Sequence, residues 1–314
     1  MKIPSKSGPS FAPAGRFNAP LSALHNAARE LIREYARSRI AVVAAFILFL
    51  IVAAALCAAW IAPQNPYDLS ALDIMDARLP PGAKGESGTV FLLGTDQQGR
   101  DILSAVLYGL RISVGVGVGS TLIALFFGGM LGLLAGSMGG RLDSFIMRVA
   151  DVQLSFPPIL LALILLAFLK PGIGNVMLAL VAVQWAYYAR TTRGAAMVES
   201  RKQYMEAAAC LRIPRHRAIF GHLLPNCLSP VIVIAALQVA SAITLEATLS
   251  FLGLGVPVTQ PSLGSLIANG QQYMLSGEYW ISVYPGVALV LTIVAMNLVA
   301  DQLKDVLNPR LKTQ

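Results

Sequence analysis

Long stretches of this chain carry no charged side chain at all. Residues 40–62, 112–135 and 280–300 each lack Asp, Glu, Lys and Arg. A helix needs about 20 predominantly apolar residues to cross ~30 Å of hydrocarbon, and it must satisfy every backbone polar group within the segment. Three such runs predict a helical membrane fold. Composition agrees, because 56% of the 314 residues are hydrophobic and only 13% are charged, against about 25% charged in an average soluble domain. The same balance excludes a disordered chain, which is polar and charge-rich.

Three more runs complete the expected set. Residues 147–169 contain Arg148 and Asp151 near their start, residues 173–189 are short but uncharged, and residues 231–254 contain Glu246. Residues 40–62 begin too far into the chain, and run too long, for the apolar region of a cleaved signal, so they read as a retained first span. The expected fold is an all-α membrane protein with six transmembrane helices.

Lys and Arg set the orientation, since they gather in cytoplasmic loops. With the N-terminus inside, the cytoplasmic side receives seven before the first span, Arg141 and Arg148 near the third, seven between spans four and five, and three in the tail. The outer side receives only Arg78, Lys84, Arg100, Arg111 and Lys170. Both termini are therefore expected in the cytoplasm. Trp60, Tyr279, Trp280 and Tyr284 then fall at the outer interface, and Trp185, Tyr187 and Tyr188 at the inner one, where amphipathic rings settle.

The net charge of +8 could signal a nucleic-acid partner, but that needs the basic residues on one solvated surface. Here they lie between apolar blocks, so no nucleic acid is expected and the bilayer is the partner. Cys57, Cys210 and Cys227 form no disulfide framework, and His25, His216 and His222 have no metal-ligand spacing, so no metal site is expected. No nucleophile and base pair appears within the spans, and no catalytic residue is assigned.

The expected organisation is a cytoplasmic segment over residues 1–39, a first span over 40–62 and an extracytoplasmic segment over 63–111. A core over 112–303 follows, with a cytoplasmic loop at 190–226, and then a tail over 304–314. Residues 1–20 are rich in Pro, Ser and Gly and read as disordered. Residues 21–39 carry Leu21, Leu24, Ala28, Leu31, Ile32 and Tyr35 at helical spacing among charged residues; they fit either a helix on the membrane surface or a solvated lead-in. Gly128, Gly132, Gly136 and Gly140 recur every four residues, after Gly115 and Gly119. That face predicts a close helix contact, because membrane helices associate by packing.

The most informative loop reads YMEAAACLRIPRHRAIFGHLLPN over residues 204–226. A helix former is followed by a break near Arg212 to Pro214, then by a second amphipathic piece ending at Pro225. Through Glu206, Ala207, Ala208, Ile219, His222 and Leu224-Pro225-Asn226 it resembles the EAA loop of ABC-transporter permeases. The resemblance implies that this segment, including Arg212, seats in a cleft of an ATPase subunit. Arg212 stands where that family usually has glycine.

A second block, LGTDQQGRD from Leu93, resembles the dipeptide and oligopeptide branch of binding-protein-dependent permeases. GGRLDSFIMRVADVQLSFP from Gly139, EATLSFLGLGVPVTQPSLGSLI from Glu246 and NLVADQLKDVLNPRL from Asn297 extend the match. Leu263, Ala300 and Gln302 depart from it, where tryptophan and glycines are usual. The pattern is similar to the C-type subunit of a bacterial peptide importer, in the inner membrane. It implies a type I ABC importer permease fold, a second homologous permease subunit, two ATPase subunits and an extracytoplasmic substrate-binding protein. No G-x-x-x-x-G-K-[ST] occurs, so no phosphate-cradling loop is present in the sequence. ATP and Mg are expected on the ATPase subunits, with no cofactor on this chain.

Asp96, Arg100 and Asp101 are candidates for binding-protein docking, or for a turn network in which Asp96 caps the next helix. Arg148 and Asp151, three apart, are expected to pair. Glu246 is a lone intramembrane carboxylate that needs a partner, a water path or another subunit; a gate or inter-subunit role is expected. Related permeases for nickel, glutathione or antimicrobial peptides stay open as alternatives. An ion-coupled secondary transporter is the competing class, but no internal repeat of the kind it requires is evident.

Overall fold

The protein is described by a computed structural model covering residue 29 and residues 33–68, 72–86, 88–257 and 259–307. The predicted disordered segment, most of the predicted surface helix before the first span and the end of the tail lie outside these residues. Among them the chain is helical, and β pairing is limited to the isolated bridges Lys84–Val90 and Thr95–Asp101.

Helix α1 (Arg39–Leu56) starts where the Ser38 hydroxyl accepts from the Ala41 N–H. Helix α2 (Ile102–Met138) runs 37 residues, about 55 Å at 1.5 Å per residue. It begins ten residues before the expected span, so Arg111 is an exposed residue on a helix and not part of a loop. Asp101 caps it through Ser104, and Gly139 ends it with φ 63°, a left-handed conformation open to glycine at no steric cost.

The expected straight span over residues 147–169 is absent. In its place α3 (Gly140–Leu154) and α4 (Pro158–Phe168) meet at a bend of 92°. Two consecutive prolines, Pro157 and Pro158, explain the break: neither can donate a backbone hydrogen bond, and each biases the residue before it away from helical geometry. Helix α5 (Ile173–Glu199) extends the short predicted span into the basic loop that follows it. It is followed by α6 (Gln203–Cys210), α7 (Leu224–Phe251), the short α8 (Leu263–Gln271) and α9 (Trp280–Leu307). Among the described residues four helical segments are long and apolar enough to cross a membrane, namely α1, α2, α9 and the continuous Arg215–Phe251. A fifth is added if the bent pair is one span.

The core is built on α2 against α5, with α7 packed on both. Ile112, Val116, Ala162, Leu180 and Leu249 come together from α2, α4, α5 and α7. The glycine face seats this contact. A methyl group on Gly128, Gly132 or Gly136 would lie within 3 Å of Trp185, Ala189, or Arg193 and Ala196, respectively. Gly119 meets the flexible Met177 instead, while Gly115 and Gly140 face open space. The close contact is thus made by the middle of the predicted face.

Two expected interface aromatics are interior. Tyr188 is fully buried between α5 and α2, and Trp280 is buried with its Nε1–H donating to Thr95 O at 3.4 Å. Trp60 and Tyr279 are exposed. Arg148 and Asp151 do not pair. Asp151 instead binds Arg190 of α5, and Arg193 forks onto Asp143 of α3, with Nη2 2.7 Å from Oδ2.

Candidate functional site

The loop between α5 and α7 is stiff for identifiable reasons. Helix α6 ends in a Schellman turn: Arg212 N–H donates to Ala209 O at 3.0 Å, and Ile213 N–H reaches back to Ala208 O at 3.1 Å. This turn needs a left-handed residue, usually glycine. Arg212 supplies it with φ 52°, at a cost of roughly 1–2 kcal/mol for a residue with a Cβ. Where the resembled loop usually has glycine, this chain thus adopts a left-handed backbone with an arginine in place.

After Pro214 the chain turns helical again at Arg215–Ala218, passes through a π-turn at Ile219–Leu223 and enters α7 without a break. The second amphipathic piece was expected to end at Pro225; it continues into the membrane helix. Pro225 lacks an N–H for the carbonyl four residues back, and the π-turn absorbs that defect, with Leu224 N–H donating to Ile219 O. Such a bulge keeps the helix continuous.

Packing and polar contacts then tie the loop to three helices. Met205 and Ile219 lie against a cluster of Leu133 from α2, Ala196 from α5, and Leu223 and Cys227. Glu199, the last residue of α5, accepts from Lys202 Nζ at 2.6 Å and from Tyr204 Oη at 2.9 Å. The Lys202 bond holds the Glu199 carboxyl low, whereas burial and then Glu199 push the Tyr204 phenol up to about 12. Of the predicted loop residues, Ala208 faces inward and His222 is half-buried, its carbonyl accepting from Asn226 Nδ2 at 2.7 Å. Glu206, Ala207, Arg212 and Pro225 are exposed, and Leu211 beside them is 75% exposed. An apolar residue projecting beside charged ones on a fixed frame is suited to receive another protein. Leu211 was not singled out in the sequence, because nothing in its spacing shows that the Schellman turn thrusts it outward.

Glu246 has partners within the chain. Its carboxylate accepts from Ser113 Oγ on α2 and from Ser250 Oγ one turn along α7, each at 2.7 Å. The side chain is fully enclosed within the chain, where it forms a joint between α2 and α7. Sequence spacing cannot pair residues 133 positions apart.

Asp96, Arg100 and Asp101 are each about 1% exposed. Asp96 accepts from Gln98 N–H, Arg100 N–H and Arg100 Nε, at 2.8, 3.0 and 2.7 Å. Asp101, not Asp96, caps α2, accepting from Ser104 N–H at 2.8 Å and Ser104 Oγ at 2.6 Å. The three side chains brace the segment before α2 and do not form its surface. Among the described residues no cluster of His, Cys, Asp or Glu could hold a metal ion.

Comparison with known proteins agrees with this architecture. Residues 128–313 match the family described as binding-protein-dependent transport system inner membrane component, and residues 27–81 match the N-terminal TM domain of oligopeptide transport permease C. The chain is 38% identical over 285 residues to the di/tripeptide transport system permease protein DppC of Pseudomonas aeruginosa, covering 90% of this chain and 92% of the relative. It is 41% identical to the dipeptide transport system permease protein DppC of Escherichia coli K12, covering 90% and 93%. Among solved structures it resembles an inward-facing conformation of the MetNI methionine ABC transporter, with a TM-score of 0.55 and 17% identity over 66% of this chain and 98% of the other; at that identity the likeness is one of fold. With a family match over more than half its length and two relatives aligned nearly end to end, the chain belongs to the inner membrane permease components of binding-protein-dependent transport systems.

Proposed function

We propose that this chain is the C-type permease subunit of an ATP-driven importer of di- and oligopeptides. A second homologous permease completes the path, two ATPase subunits bind ATP and Mg below, and an extracytoplasmic binding protein delivers the peptide above. The observation that carries the mechanism is the continuity of residues 215–223 with α7, together with the tie of α6 to the end of α5 through Glu199 and Tyr204. Closure of the ATPases would press on exposed Glu206, Leu211 and Arg212, and the contacts of the loop with Leu133, Ala196 and Glu199 would pass that movement to α2, α5 and α7. Alternating access then follows as a rigid-body change between two packings. The peptide substrate is supported by the names of the relatives at 38% and 41% identity.

Six spans with both termini in the cytoplasm fit this reading. The four long apolar segments are joined by the bent α3 and α4 pair and by α5, whose Asn175, Gln184, Arg190 and Arg193 lower its hydropathy. The distribution of Lys and Arg supports the orientation. Asp96, Arg100 and Asp101 act on docking by setting the shape of the outer surface. Glu246 acts in gating by holding α2 to α7 as they move together.

Uptake of a labelled dipeptide in cells tests the energy source. Uptake that survives an uncoupler but stops on ATP depletion is the expected result. Uptake that stops with the gradient while ATP is maintained would overturn the reading in favour of an ion-coupled transporter.

A further inference from the structure

A cleft of about 440 Å³ opens between α4, α5 and α7 at the level of the membrane helices. Its polar lining comes from Gln184 and Tyr187 on α5 and from Gln238, Ser241, Thr244 and Thr248 on α7. Polar groups on an outward face at this depth are expensive against lipid, and such groups line water-filled paths or partner surfaces. The four α7 residues share one side of the helix, and Ser241 and Thr244 are exposed.

The hydrogen-bonding state of the lining is specific. Ser241, Thr244 and Thr248 donate their hydroxyl protons to Leu237 O, Ala240 O and Thr244 O at 3.3, 2.8 and 2.8 Å. Their oxygens keep lone pairs that accept but have no proton left to give. Gln184 is 3% exposed; its Oε1 accepts from Thr121, and its Nε2 has no partner. A buried amide donor without a partner is costly unless something meets it. The Gln184 amide nitrogen is itself closed off, so the cleft offers acceptors along α7 and no charged group. No Asp, Glu, Lys or Arg lines it.

We propose that this cleft is the chain's portion of the solute path, and that it engages a peptide by its backbone without selecting for side-chain charge. Each peptide bond carries an N–H, which matches the accepting oxygens of Ser241, Thr244 and Thr248 on α7. Val183, Leu245 and Ile159 complete the lining with apolar surface for side chains of any kind. This inference rests on the peptide-importer reading and adds to it where selectivity is not exercised.

The test uses the whole transporter in vesicles, with the native cysteines replaced by serine. Ser241→Cys and Thr244→Cys are expected to react with a water-soluble methanethiosulfonate reagent, while Val290→Cys, exposed on α9, is not. Thr244→Lys is then expected to favour acidic over basic dipeptides by about tenfold, since like charges in such a passage repel strongly. Two cysteines as unreactive as Val290→Cys, whether sealed by lipid or by the second permease, would overturn the proposal. So would a Thr244→Lys transporter with unchanged preference. Uptake that persists without ATP sinks the importer reading instead, and the labelling pattern still decides whether the cleft is aqueous.

Discussion

Tyr204 donates its hydroxyl to the Glu199 carboxylate across 2.9 Å, tying the first turn of α6 to the last residue of α5. The bond bridges the bend where a loop helix would otherwise swing free. Tyr204→Phe removes it without changing the ring, and loss of a hydrogen bond to a charged group costs about 1.5–3 kcal/mol. Amide hydrogen exchange over residues 203–210 is expected to quicken while exchange in the middle of α2 is unchanged. Identical exchange in both proteins would mean that this bond does not hold the loop.

Arg212 bears the strain of the loop. Arg212→Gly removes the Cβ from a left-handed position and is expected to stabilise the loop by about 1 kcal/mol. Arg212→Pro should disrupt it, because proline cannot reach φ 52° and has no N–H for Ala209. Limited proteolysis at the loop reads both effects, with slower cleavage for glycine and faster for proline. Faster cleavage of the glycine variant would show that the arginine side chain contributes more than its backbone costs.

The α2 glycines separate into two classes. Gly132→Ala places a methyl against the Ala189 backbone and is expected to lower thermal stability by an overpacking cost of about 1–3 kcal/mol. Gly115→Ala meets nothing within 4 Å and should be neutral or stabilising, since alanine is the better helix former by about 1 kcal/mol. Equal melting temperatures for the two variants would contradict the seating of α5 on this face.

Glu246 holds α2 to α7 through serine hydroxyls. Glu246→Ala leaves Ser113 and Ser250 without their acceptor and is expected to cost about 1–3 kcal/mol per unsatisfied group. Glu246→Gln should cost much less, because a serine hydroxyl can turn to accept from the amide. Thermal melting of both variants, and of Ser113→Ala with each, measures the coupling. Additive losses would show that the two residues are not joined.

Much of the fold was legible because hydrocarbon imposes a simple rule: an uncharged run of sufficient length must be a helix. Residues 40–62 and 280–300 follow it closely. The rule failed at residues 147–169, where apolarity was right but the Pro157-Pro158 pair overrode length. The loop was readable from its residues and its resemblance, including the special position of Arg212. Its continuity with α7 was not, since Pro225 read as a terminator and the π-turn that accommodates it leaves no pattern. Long-range partners were the least accessible. Ser113 and Glu246, or Asp143 and Arg193, meet only after α2, α3, α5 and α7 have packed, and neither pair has a local spacing to disclose it.

In the proposed mechanism, work from ATP hydrolysis on separate subunits enters this chain through the 203–226 loop. Glu206 is exposed in the first turn of α6, away from the internal packing, so reversing its charge perturbs the outer surface of the loop and spares the fold. The purified complex with Glu206→Lys, reconstituted with its binding protein and dipeptide, gives the most direct measurement. Stimulated ATP hydrolysis and dipeptide uptake are both expected to fall at least about tenfold, the scale of a reversed charge at a close interface. Full stimulation and full uptake in that complex would contradict the account.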